Sequence, residues 1–197
     1  MDCCGALEFF PEMGKVLYFD GDWGVWAYTP GNNSWVALAN TGTANAIAGL
    51  PNFPMTSTSV FAIYNPLQRV VLFGGGTHLY KIDSSGRFTT MRAPPITLGA
   101  SNAVVSVDPS GGKNIVLSSA SMYQYDSSTD TWEQLAVSLP SAMTGLGSIV
   151  EGLVETPVTT YGVIMYTKYN YAGSAVYLYK HSPPPIKPQP PASVTAN

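Results

Sequence analysis

Charge, cysteine and long apolar runs are all scarce in this chain of 197 residues, and each scarcity removes a class of function. Charged residues make up 11% of it, against roughly 25% in ordinary soluble domains. Nine basic and twelve acidic residues leave a formal charge of −3, with no run of Lys or Arg. A nucleic-acid partner needs a basic stripe to displace counterions, so none is expected. No stretch approaches the ~20 apolar residues of a membrane-crossing helix, and no membrane span is expected. The opening MDCCGALEFFPEMG lacks the basic-then-apolar order of an export signal. The two cysteines, Cys3 and Cys4, are adjacent and cannot staple distant segments; they read as small apolar residues beside the first strand, with a strained vicinal disulfide as the alternative.

Catalytic sets are equally sparse. The two histidines are His78 and His181, far apart in sequence, and nothing matches H-E-x-x-H, a zinc spacing, G-x-S-x-G or a phosphate loop. The carboxylates fall mostly in turns: Asp83, Asp108, Asp126 and Asp130 stand where a side-chain oxygen accepts from a nearby backbone N–H. Asp20 and Asp22, in FDGDWG, come nearest to a calcium loop, but too few oxygens follow at suitable spacing. No cofactor, metal or catalytic residue is therefore expected. Asn32-Asn33-Ser34 forms a glycosylation sequon on a turn, with meaning only in a eukaryotic secretory pathway.

What the chain does have is glycine (19), proline (16) and many short β-branched or aromatic runs, the pattern of an all-β fold with tight turns. Residues 59–92, SVFAIYNPLQRVVLFGGGTHLYKIDSSGRFTTMR, hold one complete unit. Ser59–Tyr64 and Arg69–Phe73 are strands around Asn65-Pro66-Leu67-Gln68, where proline suits the second turn position. Gly74-Gly75-Gly76 is expected to end the second strand, the backbone leaving the sheet with φ above zero. His78–Ile82 is a third strand, Asp83-Ser84-Ser85-Gly86 a turn, and Arg87–Arg92 a fourth strand. Four short antiparallel strands in about 34 residues make one blade of a propeller.

Looser copies lie at about 6–39, 102–137 and 148–180. Their predicted strands are Ala6–Phe10, Lys15–Asp20, Val25–Thr29 and Ser34–Ala39; then Asn102–Val107, Asn114–Ser118, Met122–Tyr125 and Thr131–Val137; then Ile149–Val154, Tyr161–Thr167 and Ala175–Lys180. Val16, Val71, Val116 and Val163 align in strand two, and Tyr28, Ile82, Tyr125 and Tyr179 in strand three. Trp35, Phe88 and Trp132 align in strand four and are expected to be buried between adjacent sheets, since each twisted sheet has two apolar faces to cover.

FAIYNPLQRVVLFGGG followed by LYKID, and MYQYDSSTDTW after NIVLSS, resemble kelch repeats, in which a strand ending in a double glycine precedes an aromatic, a turn and a Trp. Glycines close strand two only in the central unit, with Asp20-Gly21, Ser118-Ser119 and Thr167-Lys168 in the others. The resemblance spans roughly residues 6–180 and implies a kelch-like β-propeller: about four blades of four-stranded antiparallel sheet, the last with three strands. Kelch propellers range from protein-binding modules to oxidases and carbohydrate-active enzymes, so the resemblance does not select a function. A galactose-oxidase-like copper site needs two tyrosines, two histidines and a cysteine cross-linked to tyrosine. Cys3-Cys4, His78 and His181 do not offer it.

Kelch rings usually hold six or seven blades, so four predict an incomplete ring with the flanks of blades one and four open. Pro183-Pro184-Pro185 stands where a fourth strand of blade four would begin, leaving Val176–Lys180 as an edge strand prone to pairing with another chain. Residues 182–197 read as an extended Pro-rich linker. PPASVTAN resembles the opening strand of a fibronectin type III module, which implies a larger, exported multidomain protein.

In an up-and-down blade the loops joining strands two and three share one end with the crossings between blades. Asp22, Trp23, His78, Tyr169, Asn170 and Tyr171 fall there and are the candidate ligand-binding residues. The leading reading is a non-catalytic interaction module, for a carbohydrate or protein ligand, in a modular extracellular or cell-surface protein. Further blades or domains of the same polypeptide are the other expected partners. The second reading is a fragment of a propeller enzyme acting on carbohydrate, with its catalytic residues outside this chain.

Overall fold

The computed structural model describes residues 5–42, 46–55, 60–99, 102–118, 121–140, 153–170 and 173–181. Cys3, Cys4, Ser119, Tyr171 and the Pro-rich linker lie outside them. Fifteen strands among the described residues form four separate antiparallel sheets. Blade one holds β1 (Ala6–Phe10), β2 (Lys15–Asp20), β3 (Gly24–Thr29) and β4 (Ser34–Ala39). Blade two holds β5 (Phe61–Asn65), β6 (Val70–Gly75), β7 (His78–Ile82) and β8 (Phe88–Thr90). Blade three holds β9 (Val104–Val107), β10 (Asn114–Ser118), β11 (Ser121–Asp126) and β12 (Thr131–Leu135). Blade four holds β13 (Leu153–Val158), β14 (Val163–Asn170) and β15 (Gly173–Tyr179). Within each sheet the strands follow chain order, and the first strands touch in series: β1 with β5, β5 with β9, β9 with β13. That is the arrangement of a propeller arc with its first strands innermost.

Three hydrophobic cores fill the three gaps between successive blades. Leu17, Phe19, Val25 and Ala27 of blade one meet Val71, Phe73, Tyr80 and Ile82 of blade two. Leu72 and Leu79, on the opposite face of blade two, meet Val116 and Tyr125. Ile115, Leu117 and Met122 meet Ile164 and Tyr166. The ladder registers pair Tyr28 with Trp35, Ile82 with Phe88 and Tyr125 with Trp132, as the repeat alignment requires. Phe88 and Trp132 lie partly buried against the blade that precedes theirs. No blade among the described residues lies against the face that carries Trp35, and it is 51% exposed. The expectation of burial fails for Trp35 because the ring is open on that side.

Polar links stitch the same gaps at the hairpin-turn end. Glu12 accepts from Arg69 and from the Tyr64 hydroxyl, each at 2.9 Å, joining blades one and two. The fully buried Asn65 donates to the Gly112 carbonyl at 2.7 Å and accepts from the Gln68 N–H, joining blade two to a turn of blade three. Between blades three and four, the buried Ser106 hydroxyl donates to Glu155 at 2.6 Å. Loss of solvent pushes the Glu155 carboxyl above its ordinary range, more than the Ser106 bond lowers it. Glu8 is raised in the same way, and the charge of Glu155 adds to the effect.

Four details depart from the sequence reading. Gly74 and Gly75 remain in the ladder, opposite Phe61, Leu79 and His78, and only Gly76, at φ 62°, turns out of the sheet. A Cβ on Gly74 would run into the His78 carbonyl, so the close approach of β7 is what demands glycine there. In blade three the partner of Tyr125 is Asn114, two residues before the aligned Val116. In blade four the partner of Tyr179 is Ile164, and Val163 points to the opposite face, because a one-residue slip reverses a strand. The first strand of blade four is Leu153–Val158 and overlaps the predicted Ile149–Val154 only at its end; residues 141–152 lie outside the described set. It tolerates Pro157 because β13 is an edge strand.

Two measurements check this packing. Phe73→Ala, in the core between blades one and two, should cost about 3–5 kcal/mol in urea unfolding. Leu178→Ala, on the face of blade four that no other described blade of the same chain covers, should change the stability of the monomer by no more than ~0.5 kcal/mol in the same assay, run dilute enough to keep copies apart. Equal losses would mean that the outer face of blade four is covered. The second concerns pH. From the ordinary carboxyl value of 4.5 up to the raised value of Glu155, the folded chain keeps a proton that the unfolded chain has released. Its stabilising effect is therefore complete at lower pH and is lost as pH rises through that window. Glu155→Gln, which still accepts from Ser106, should flatten the decline; parallel wild-type and variant curves would refute it.

Candidate binding surface at the strand two to three loops

Asp20 ends β2 and organises the loop that follows. Its Oδ1 accepts the backbone N–H groups of Asp22 and Trp23 at 2.9 and 3.0 Å, while its Oδ2 accepts the Tyr18 hydroxyl at 2.9 Å. An aspartate takes this turn-building role because its short side chain reaches the amides two and three residues ahead. Burial and the Asp20 carboxylate together push the Tyr18 phenol above its ordinary value. Gly24 brings the chain back against the Ala39 carbonyl with φ 137°, where a Cβ would collide. From the other side, the Thr41 hydroxyl donates to the Asp20 carbonyl. Trp23 is thus held on a loop fixed at both ends, and it is 56% exposed.

The same end of the arc carries the other candidates. Gly76 exchanges backbone hydrogen bonds with Leu98 at 3.0 and 2.8 Å, joining the β6–β7 loop to the following crossing. Ser118 at the end of β10 donates to the Asn102 carbonyl at 3.1 Å, which repeats the junction in blade three. His78 opens β7, exposed, with its ring stacked on Tyr80 at 6.2 Å. Tyr169, near the end of β14, is 61% exposed. Asn170 closes β14, paired with Gly173. Trp23, His78 and Tyr169 therefore stand on three different blades around one rim and do not converge on a single pocket.

The sequence offered Asp20 as a calcium donor only to set it aside for want of further oxygens, and assigned it no other role. In the structure three protein donors occupy its two oxygens, and it shapes the loop. Among the described residues, no group of three His, Cys, Asp or Glu side chains could hold a metal ion. The reading also missed Tyr18 and Trp26, which with Asp20, Trp23 and Trp35 line an apolar cleft of about 470 Å³ on the flank of blade one. The period-2 spacing of Tyr18 with Asp20 in β2, and of Trp26 with Tyr28 in β3, was the signal that could have shown one shared face.

No protein-family model matches the chain, and no curated protein matches it. Solved structures do. Over 90% of this chain it is similar to streptogramin B lyase, with 12% identity and a TM-score of 0.51, and it spans 54% of that protein. Over 87% it is similar to an auxiliary nutrient binding protein of Bacteroides thetaiotaomicron, with 9% identity and a TM-score of 0.52, spanning 40% of that chain. Over 85% it is similar to an extracellular domain from the same organism, described as part of a hybrid two-component system, with 13% identity and a TM-score of 0.50, spanning 20%. At such identities the likeness concerns fold alone, and the chain spans about half or less of each structure. It is an all-β partial propeller of four open antiparallel sheets.

Proposed function

We propose that this chain is a non-catalytic binding module, a partial kelch-like propeller that meets a carbohydrate ligand at its strand two to three loops. The observation that carries the reading is Trp23, exposed on a loop that Asp20 and Thr41 hold in place. An indole fixed in this way can stack on the apolar face of a sugar ring without losing further conformational freedom on binding. Asp22, beside it and partly exposed, brings a carboxylate that accepts sugar hydroxyls. His78 and Tyr169 extend the rim along blades two and four, and Asn170 and Tyr171 stay in the proposed set from the sequence alone. The low charge of the chain suits a neutral polyol better than a charged partner. Two of the similar structures are described as nutrient-binding and extracellular, which supports placing the module at the cell surface or outside the cell.

A glycan array followed by titration of tryptophan fluorescence tests the reading. Trp23→Ala should weaken binding at least about tenfold, roughly 1.4 kcal/mol, and leave the melting temperature unchanged. Asp20→Asn should weaken it less, by loosening the loop. Undiminished affinity of Trp23→Ala would remove Trp23 from the site, and conversion of the glycan to a product of different mass would overturn the non-catalytic reading.

A further inference from the structure

The flank of blade one is built as the receiving half of a blade junction. In blades two and three the paired aromatic or branched residues of the third and fourth strands, Ile82 with Phe88 and Tyr125 with Trp132, face the preceding blade and pack on it. The single strand-three counterpart in blade four, Tyr179, also faces its predecessor. In blade one the same pair is Tyr28 and Trp35, with ring centroids 5.1 Å apart, and the face around it continues through Tyr18, Trp26, Leu7 and Phe9. Leu7 and Phe9 are 64% and 52% exposed.

The outer face of blade four is the other half of such a junction. Blade two offers Leu72 and Leu79 to its successor, and blade three offers Ile115, Leu117 and Met122. Each of these faces is mainly aliphatic. Blade four turns Val154, Val163, Met165, Val176 and Leu178 outward, with Val154, Val176 and Leu178 at 65%, 60% and 67% exposure. The strands agree with this. The fully buried β6 reads VVLFGG, and the middles of β2 (Val16 and Tyr18 on one face, Leu17 and Phe19 on the other) and of β14 (Val163 and Met165 against Ile164 and Tyr166) likewise place apolar residues on both faces, although β2 and β14 are covered on one face only. A sheet with one solvated face should instead alternate apolar with polar residues.

We infer that the occupant of both flanks is a second copy of this chain. Two arcs then close head to tail into an eight-bladed ring, blade four of each copy seated on blade one of its partner. Four blades are half of eight, the upper end of the usual propeller range. A two-fold axis along the channel makes the two junctions identical, and the assembly stops at two. The area suffices. At roughly 100 Å² for each half-exposed large side chain, and about half that for the partly buried ones, each flank contributes on the order of 400 Å². Two junctions then bury on the order of 1,600 Å², the size of a stable interface. Trp23 stands at the rim and also lines the edge of this flank beside Trp35, so the two readings share a border and are separated by their tests, assembly for one and glycan titration for the other.

Sedimentation of the 197-residue chain at micromolar concentration tests it, with small-angle scattering for shape. The expected result is a species of twice the 21.0 kDa chain mass whose scattering shows a closed ring. Trp35→Glu on one flank and Leu178→Lys on the other should each raise the dissociation constant at least about tenfold, with the chain still folded by circular dichroism. A monomer throughout would overturn the inference and leave the flanks to further blades of a longer polypeptide. Concentration-dependent filaments would overturn it as well. So would a dimer that Leu178→Lys dissolves and Trp35→Glu leaves intact, since that pattern marks pairing through the free edge of β15.

Discussion

A twisted four-stranded sheet presents two apolar faces and cannot cover either by itself; the rest of this structure follows from that constraint. In β6 every residue from Val70 to Gly75 is buried, because Val71 and Phe73 lie against blade one while Leu72 lies against the blade three side. In β2 only Leu17 and Phe19 are buried, and they are the residues that face blade two. Similar strand compositions therefore give different burial patterns, and the difference is set by the number of neighbouring sheets rather than by the strand.

Apolar contact alone would let the sheets slide, since it has little directional preference. The hydrogen bonds of Asn65 to Gly112, of Ser106 to Glu155 and of Tyr64 and Arg69 to Glu12 each fix one blade against the next at a single geometry. Such bonds add little to net stability, but a buried donor left without its partner costs about 1–3 kcal/mol, so alternative registers are penalised. Glu155 shows the other side of this device. Its burial disfavours the charged form, and the fixed position of blade four carries a dependence on pH.

Much of the fold was legible because turn chemistry and aromatic spacing are local signals. The intervals Tyr28 to Trp35, Ile82 to Phe88 and Tyr125 to Trp132 each span one tight hairpin, so the residues that pair across it can be read from spacing alone. Strand two was harder. Val116 and Val163 were aligned by identity, whereas the ladder sets Val116 two positions from the partner of Tyr125, on the same face, and Val163 one position from the partner of Tyr179, on the opposite face. Gly74 was misjudged for a similar reason: its glycine is required by the approach of His78 across the ladder, a contact absent from the linear sequence. The loop-end candidates were placed by topology, which puts two to three loops and crossings together. The flank cleft escaped because Trp35 was read as core, whereas no described blade covers its face.

Asp20 belongs to both surfaces at once. Its Oδ2 takes the Tyr18 hydroxyl on the flank, and its Oδ1 takes the two amides that set the Trp23 loop. A carboxylate with that many donors is held in one rotamer, so the position of the exposed indole is tied to the position of Tyr18 in the sheet. The loop could have been a flexible tip, and the ordering cost of fixing Trp23 would then fall on ligand binding. Here Asp20 and Thr41 meet that cost during folding. The flank and the rim are for this reason parts of one rigid unit, in which the sheet that seeks a neighbour also positions the residue that meets the ligand.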